Sequence, residues 1–168
     1  MRVDVAVLGA GAAGMMCAAV AAQQGARVVV IEHNDAPGKK IRISGGGRCN
    51  FTNVHTTHHA MVGRNPDFTR SALARYTAAD FISLVESYNI AWHEKTLGQL
   101  FCDGSAQQII NMLVAECQHA NVEMLLGCSV QSVRHADSFI LATSFGEITA
   151  NYVVVATGGL SIPKLGAS

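Results

Sequence analysis

The chain has no excess of either charge: 12 lysines and arginines balance 12 aspartates and glutamates over 168 residues. Without a global field it cannot gather nucleic acid or an anionic membrane by charge alone, so any polyanion must be met by a local cluster. A CxxC pair is also lacking. The five cysteines, Cys17, Cys49, Cys102, Cys117 and Cys128, are odd in number and irregularly spaced, which argues against a disulfide framework or a zinc site and reads as reduced thiols in a cytoplasmic protein. The uncharged run Val5 to Ala22 follows Asp4 and is broken by Gly9, Gly11, Gly14 and many alanines; it is weakly hydrophobic for a membrane span or an export signal. What remains is a chain 49% hydrophobic, long enough to bury one core as a single domain.

The same uncharged run fits a strand, a glycine turn and a helix. "VDVAVLG" is β-branched and apolar, as a strand buried on both faces of a parallel sheet requires, and Gly9, Gly11 and Gly14 set GxGxxG at its end. "AAGMMCAAVAAQQG" predicts an alanine-rich helix closed by Gly25 and kept slim at Ala18; "RVVVIE" predicts a second buried strand ending in Glu32. Each part has a task in holding a dinucleotide. Gly9 permits the tight turn, Gly11 lets the backbone approach a pyrophosphate, Gly14 lets helix and strand pack, and the helix start around Ala13 offers unpaired N–H groups to the anion. Glu32, 18 residues beyond Gly14, stands where a carboxylate accepts hydrogen bonds from ribose hydroxyls and would repel the 2′-phosphate of NADP. The flanking strand, the helix and the acid at the right spacing are what give the glycine motif its weight.

That unit alone fits FAD and NAD equally. Near the other end, "NYVVVATGG" (Asn151 to Gly159) predicts another buried strand running into a small-residue turn. It follows "VQSVRHADSFILATSFGEIT", which alternates as a strand meander with a turn at Ser144 to Gly146. A β-branched strand followed by Ala156-Thr157-Gly158 resembles the second fingerprint of FAD proteins of the glutathione reductase type. The resemblance implies that this segment passes close to the dinucleotide, that the Val130 backbone contacts the adenine, and that FAD is the ligand.

Between the fingerprints lies "KKIRISGGGRCNFTN", Lys39 to Asn53. Successive glycine N–H groups can form an anion-binding nest, Lys39 or Lys40 and Arg48 can neutralise phosphate charge, and a ring edge can lie against backbone that carries no Cβ. The resemblance to those FAD proteins, in which the chain beyond the second strand runs along the pyrophosphate toward the ring, implies that Lys40, Gly46, Gly47, Arg48, Cys49 and Asn50 form the path to the flavin. Glutathione reductase relatives carry a second redox cysteine five residues after the first; here Val54 stands in that place, so a dithiol mechanism is disfavoured and Cys49 is expected to pack near the flavin.

The middle segment reads as mostly helical. Thr77 and Asp80 are spaced as a capping box before a stripe of Phe81, Leu84, Val85 and Tyr88, and Ser105 with Gln108 opens a second helix with Ile109, Ile110, Leu113, Val114 and Cys117 on one face. These are core positions. In "NIAWHEK", strand alternation would put His93 and Lys95 on one face and Trp92 and Glu94 on the other, so the four cannot converge as one acid–base cluster. "HTTHH" (His55, His58, His59) lacks a nearby Cys or carboxylate to complete a metal set. Arg64, Arg70 and Arg75 with Lys39, Lys40 and Arg42 offer a basic patch, without an RNP-like aromatic motif beside it.

The string "GKKIRISGGGRCNFTN" together with "ATGGLSIPKLGAS" (Ala156 to Ser168) resembles the BaiN/RdsA (YhiN-like) family of NAD(P)/FAD-dependent oxidoreductases, and the likeness runs through essentially the whole chain. Members are more than twice as long, so residues 1–168 correspond to the N-terminal part of a FAD-binding domain, without the substrate domain and the C-terminal FAD segment. The resemblance implies reduction of a carbon–carbon double bond with hydride from reduced flavin, recharged by NADH or NADPH, on a small molecule or on RNA, with uridine of ribosomal RNA giving dihydrouridine as the favoured case. The expectation is a Rossmann-like α/β FAD-binding domain with a parallel sheet, a β-meander and a small helical insertion, cytoplasmic, with no membrane or metal involvement and no nameable general acid. A catalytically silent nucleotide-binding module and an NAD-dependent dehydrogenase are the alternatives.

Overall fold

The computed structural model describes residues 1–65 and 67–159. The chain divides into two compact units, 1–41 with 110–168 and 42–109, where length alone had suggested one. The reason is that residues 42–109 build a sheet and a core of their own.

In the first unit the uncharged run splits into a strand, Arg2–Leu8 (β1), and a helix, Ala12–Gln23 (α1). No helix among the described residues is long and apolar enough to cross a membrane. The second strand, Val28–Glu32 (β2), is buried at all five positions. After the second unit come Glu123–Leu126 (β6), Val130–His135 (β7), Phe139–Thr143 (β8) and Gly146–Val155 (β9). The six strands stand in the order β6-β2-β1-β9-β8-β7. Their pairing is parallel from β6 through β9 and antiparallel in the β7–β8–β9 meander. This is the expected Rossmann-like arrangement. Val3, Ala6, Val29, Leu141, Ile148 and Ala150 are among the buried residues of its core.

Gly25 ends α1 with φ +91° and donates its N–H to the Ala22 carbonyl at 2.9 Å, the left-handed stop expected of a glycine. Gly14, Met15, Ala18 and Ala19 form the buried side of α1. A later helix, Ala106–His119 (α5), meets it where the Cys117 thiol donates to the Met15 carbonyl at 3.3 Å. Met112 is buried on α5, whereas Val114, expected in the core stripe, is only half-buried. Strand β9 also departs from expectation. Its first half is flanked by β8 and β1, but from Asn151 onward only β1 pairs with it, and Tyr152 and Val155 are 67% and 73% exposed. Apolar, β-branched sequence specifies a strand without guaranteeing cover on both faces.

A short helix, Lys39–Ile43 (α2), runs across the boundary at residue 42, and a tight turn over Ser44–Gly47 follows it. Asn50–Asn53 (β3), Trp92–Glu94 (β4) and Gln99–Cys102 (β5) make a three-stranded antiparallel sheet in the order β3-β5-β4. Of the two helices expected in the middle segment, one is Ala78–Ser87 (α4) and the other is α5; the short helix Arg70–Arg75 (α3) and the sheet are additions. Phe51 joins strand to helix, its ring 6.1 Å from Phe81 and 6.4 Å from Trp92. The capping box forms as read: the Asp80 N–H donates to Thr77 Oγ1 at 3.2 Å and the Thr77 N–H to Asp80 Oδ2 at 2.7 Å.

Replacing Thr77 by Ala leaves first-turn N–H groups of α4 unsatisfied and lowers unfolding free energy by about 1 kcal/mol, while Thr77→Ser retains most of it. Urea unfolding of the three chains measures the difference; equal midpoints would show that the cap carries no stability.

Candidate dinucleotide site

The glycine turn sits where β1 delivers it, between the ends of β2 and β9. The Gly9 N–H donates to the Ile31 carbonyl at 2.8 Å, and the Ala156 N–H to the Leu8 carbonyl at 2.9 Å. Sequence positions 147 residues apart thereby share one end of the sheet (156 − 9 = 147).

The three motif glycines are required for different reasons. Gly9 has φ +107°, and a Cβ on it would lie 2.6 Å from the Ala156 carbonyl oxygen. A Cβ on Gly14 would run into the Gly9 carbonyl oxygen and touch the Ala156 side chain at 3.4 Å. Both are demanded by the chain's own packing. Gly11 is not: it has extended φ −84°, ψ −174°, and a Cβ there would meet nothing within 4 Å. It is the N-cap of α1 and no side chain caps that helix, so the first-turn N–H groups at Ala12, Ala13 and Gly14 lack intrahelical partners. An open, Cβ-free approach to unsatisfied donors at a helix N-terminus suits an anion such as a pyrophosphate.

Glu32 closes the turn from the side. It is only 7% exposed. The Ala10 N–H donates to Oε2 at 2.8 Å, and the Asn34 N–H and side-chain amide donate to Oε1 at 2.9 and 2.5 Å. Burial opposes its ionisation, but the Asn34 and Ala10 N–H groups, the Asn34 amide and nearby His33 outweigh that and hold its carboxyl below the ordinary range. Glu32, at the end of β2, is thus tied to the glycine turn. Asn34, absent from the sequence reading, holds this carboxylate and also accepts from Lys39 Nζ at 2.9 Å. Its only sequence signal was its place just beyond Glu32.

Other predicted residues gather in the same unit. The Cys128 N–H donates to the Glu32 carbonyl at 2.9 Å and the Gly127 N–H to Asn34 at 2.8 Å, so the segment entering β7 at Val130 departs from beside Glu32. Val130 itself is half-buried against the core. Lys40 Nζ donates to the Gly159 carbonyl at 2.9 Å, which ties α2 to the residue following Ala156, Thr157 and Gly158. Residues 160–168 of the second string lie outside the described residues.

The second unit holds Gly46, Gly47, Arg48, Cys49 and Asn50. Gly45, Gly46 and Gly47 carry φ of +57°, +66° and +86°, and Cys49 follows at +52°. Gly45 and Gly46 are both left-handed, a tight turn of one hand where a nest would alternate; the N–H of Cys49 closes it on the Ser44 carbonyl at 3.1 Å. Gly45 is also sterically required, because a Cβ would sit 2.7 Å from the Asn50 N and from the Phe101 ring. Burial pushes the Cys49 thiol up, against a hydrogen bond with Ser44, and Cys102, buried near it, is pushed up to about 11. Neither is a ready thiolate at neutral pH. The Asn50 amide, oriented to donate, reaches the Thr52 and Leu100 carbonyls at 3.0 and 3.3 Å.

His93 and Lys95 do share a face, both against Phe101: the His93 ring stacks at 6.3 Å and Lys95 Nζ lies 5.2 Å from the ring centre. His93 Nδ1 also meets Asp103 Oδ1 at 2.6 Å, a partner ten residues away that strand alternation did not reveal. The His58 and His59 rings lie 3.9 Å apart. Among the described residues no three His, Cys, Asp or Glu side chains are grouped to hold a metal ion.

Two measurements test this geometry. Gly14→Val destabilises the ligand-free chain severely, whereas Gly11→Val costs it no more than about 1 kcal/mol, the loss of a glycine N-cap; thermal unfolding of both separates packing from ligand roles, and equal losses would refute the distinction. Glu32→Gln places an amide N–H against a backbone donor and costs about 1–3 kcal/mol at neutral pH. Because the Glu32 pKa is lowered on folding, its stabilisation is present above the ordinary value of 4.5 and is lost as pH falls through the folded value. Denaturation series from pH 7 to pH 3 should therefore converge for wild type and Glu32→Gln on the acid side; parallel curves would exclude Glu32 as the source.

The HI0933-like protein Rossmann domain family matches residues 3–168. A ribosomal RNA dihydrouridine synthase of Escherichia coli strain K12 is 54% identical over 168 residues, 99% of this chain and 42% of that protein. Its Haemophilus influenzae counterpart is 46% identical over 167 residues, 96% of this chain and 42% of that protein. The chain spans less than half the length of these relatives. Among solved structures, glycine oxidase from Bacillus cereus superposes with a TM-score of 0.66 at 16% identity, over 94% of this chain and 56% of the oxidase, a likeness of fold. The glycine turn, the acid-ended second strand and the matched span together place this chain in the HI0933-like Rossmann domain family.

Proposed function

We propose that this chain is the FAD-binding portion of a flavin-dependent oxidoreductase that reduces a carbon–carbon double bond, with uridine of ribosomal RNA as substrate and dihydrouridine as product. The observation that carries the reading is Gly11: a motif glycine for which the chain's own packing gives no reason, at an uncapped helix N-terminus. The 54% identity to a ribosomal RNA dihydrouridine synthase supports the reaction class.

When bound and reduced by NADH or NADPH, FAD supplies the hydride for such a reduction. The residues present fit its dinucleotide half. The N–H groups at Ala12, Ala13 and Gly14 would hold the pyrophosphate across Gly11, with Gly9 and Gly14 keeping the turn in place. Glu32 would accept from ribose hydroxyls with oxygen lone pairs left over from Ala10 and Asn34, and its negative charge would exclude a phosphorylated ribose. Val130 is the proposed adenine neighbour. Ala156, Thr157 and Gly158 line the approach, with Lys40 securing the backbone beyond them. The assignment of Gly46, Gly47, Arg48, Cys49 and Asn50 to the flavin ring rests on the family resemblance, supported by a turn whose backbone only glycine adopts at low cost.

The test is to saturate the purified chain with FAD, desalt it and record the visible spectrum. Retained flavin absorbance, lost in Gly11→Val while the fold persists, is the expected outcome. A colourless chain that also fails to bind added FAD would sink the reading, and tight retention of NAD in its place would replace the cofactor.

A further inference from the structure

The arginine-rich start of the second unit is the strongest feature that the dinucleotide site leaves unused. Residues 42–79 contain five arginines, Arg42, Arg48, Arg64, Arg70 and Arg75, and one acid, Asp67, in a chain of zero net charge. Within that stretch, Met61, Val62, Gly63, Arg64, Asn65, Phe68 and Thr69 line a shallow hollow of about 230 Å³. Phe68 is 80% exposed. Arg70 makes only a long 4.0 Å contact to Asp67, with both side chains in solvent, and Arg64 and Arg75 make no ion pair among the described residues. Thr69 Oγ1, in the hollow's lining, is buried without a partner among the described residues.

An exposed aromatic ring that shares a hollow with Arg64, with Arg70 and Arg75 following it on α3, has a specific use. A base stacks on the ring while arginines meet the neighbouring phosphates, which is how single strands are held without reading their sequence. Guanidinium also suits phosphate by its fork of donors. We propose that the surface around Phe68, Arg64, Arg70 and Arg75 is a docking site for single-stranded RNA. The inference rests on the reading above, since it supplies the substrate strand that a uridine reductase must hold. A lone histidine or cysteine would not do this work; the combination of stacking face and unpaired positive charge does.

The experiment is fluorescence anisotropy with a labelled uridine-rich single-stranded RNA and the full chain, titrated at several salt concentrations. Expected is saturable binding that weakens with salt, a loss of about tenfold in Phe68→Ala from the missing stack, and in Arg64→Ala/Arg75→Ala a salt slope shallower by roughly 0.7 per arginine. Arg134→Ala, on β7 of the other unit, should bind as wild type. Because Phe68 is exposed, its variant should melt like wild type, and a melting curve verifies that. No binding, binding unchanged in both variants, or self-association or capture by anionic vesicles in place of RNA would overturn the proposal. FAD retention in the same samples separates the two readings: flavin bound without RNA refutes only the docking surface, and RNA bound without flavin refutes only the cofactor reading.

Discussion

The glycine-turn end of the first unit depends on one steric constraint: two glycines must have no side chains so that a turn, a helix and a distant strand end can occupy one volume. Gly9 admits the Ala156 carbonyl, and Gly14 admits the Gly9 carbonyl. If either gained a methyl group, β1 and β9 could not end side by side with α1 starting between them. The hydrogen bonds from Gly9 to Ile31 and from Ala156 to Leu8 then fix the turn to its neighbouring strands. Gly11 is left facing open space, the one motif glycine that this packing does not use.

Glu32 shows how electrostatics completes that arrangement. A carboxylate at 7% exposure is expensive unless its oxygens are met, and here the Ala10 and Asn34 groups meet them. The same bonds that make the charge tolerable lock the β2 end to the glycine turn. A residue readable as a ribose acceptor is therefore also a structural tie. The second unit solves a different problem at its glycines: three successive positive φ values turn the chain sharply into β3, and only Gly45 is also required by its neighbours.

Much of this was legible beforehand, where a local rule has a single structural outcome. The β1-turn-α1-β2 order, the Gly25 stop, the Thr77–Asp80 cap and the β7–β8–β9 meander all follow from short-range patterns and are present. Strand β3 was not legible: "NFTN" lacks alternation and becomes a strand only through its pairing with β5. Met112 replaced Val114 in the core because which side of an amphipathic helix is buried deepest depends on its neighbours. Likewise the exposure of Tyr152 and Val155 follows from which strands flank β9, a long-range fact that residue type does not encode.

By itself, the sequence determined the periodicities, the places where only glycine serves, and the acid at the end of β2, because these are properties of residues and their immediate spacing. Only the tertiary structure decided which of the three motif glycines the packing consumes and which one remains open. It also decided that Asn34 would share Glu32, that Lys40 would reach Gly159, and that Phe68 would stand exposed in a hollow with Arg64. The physical reason is that burial and hydrogen-bond partnership are properties of pairs. Ala156 lies 147 residues from Gly9 (156 − 9 = 147), and no local rule names it as the atom a side chain at Gly9 would strike.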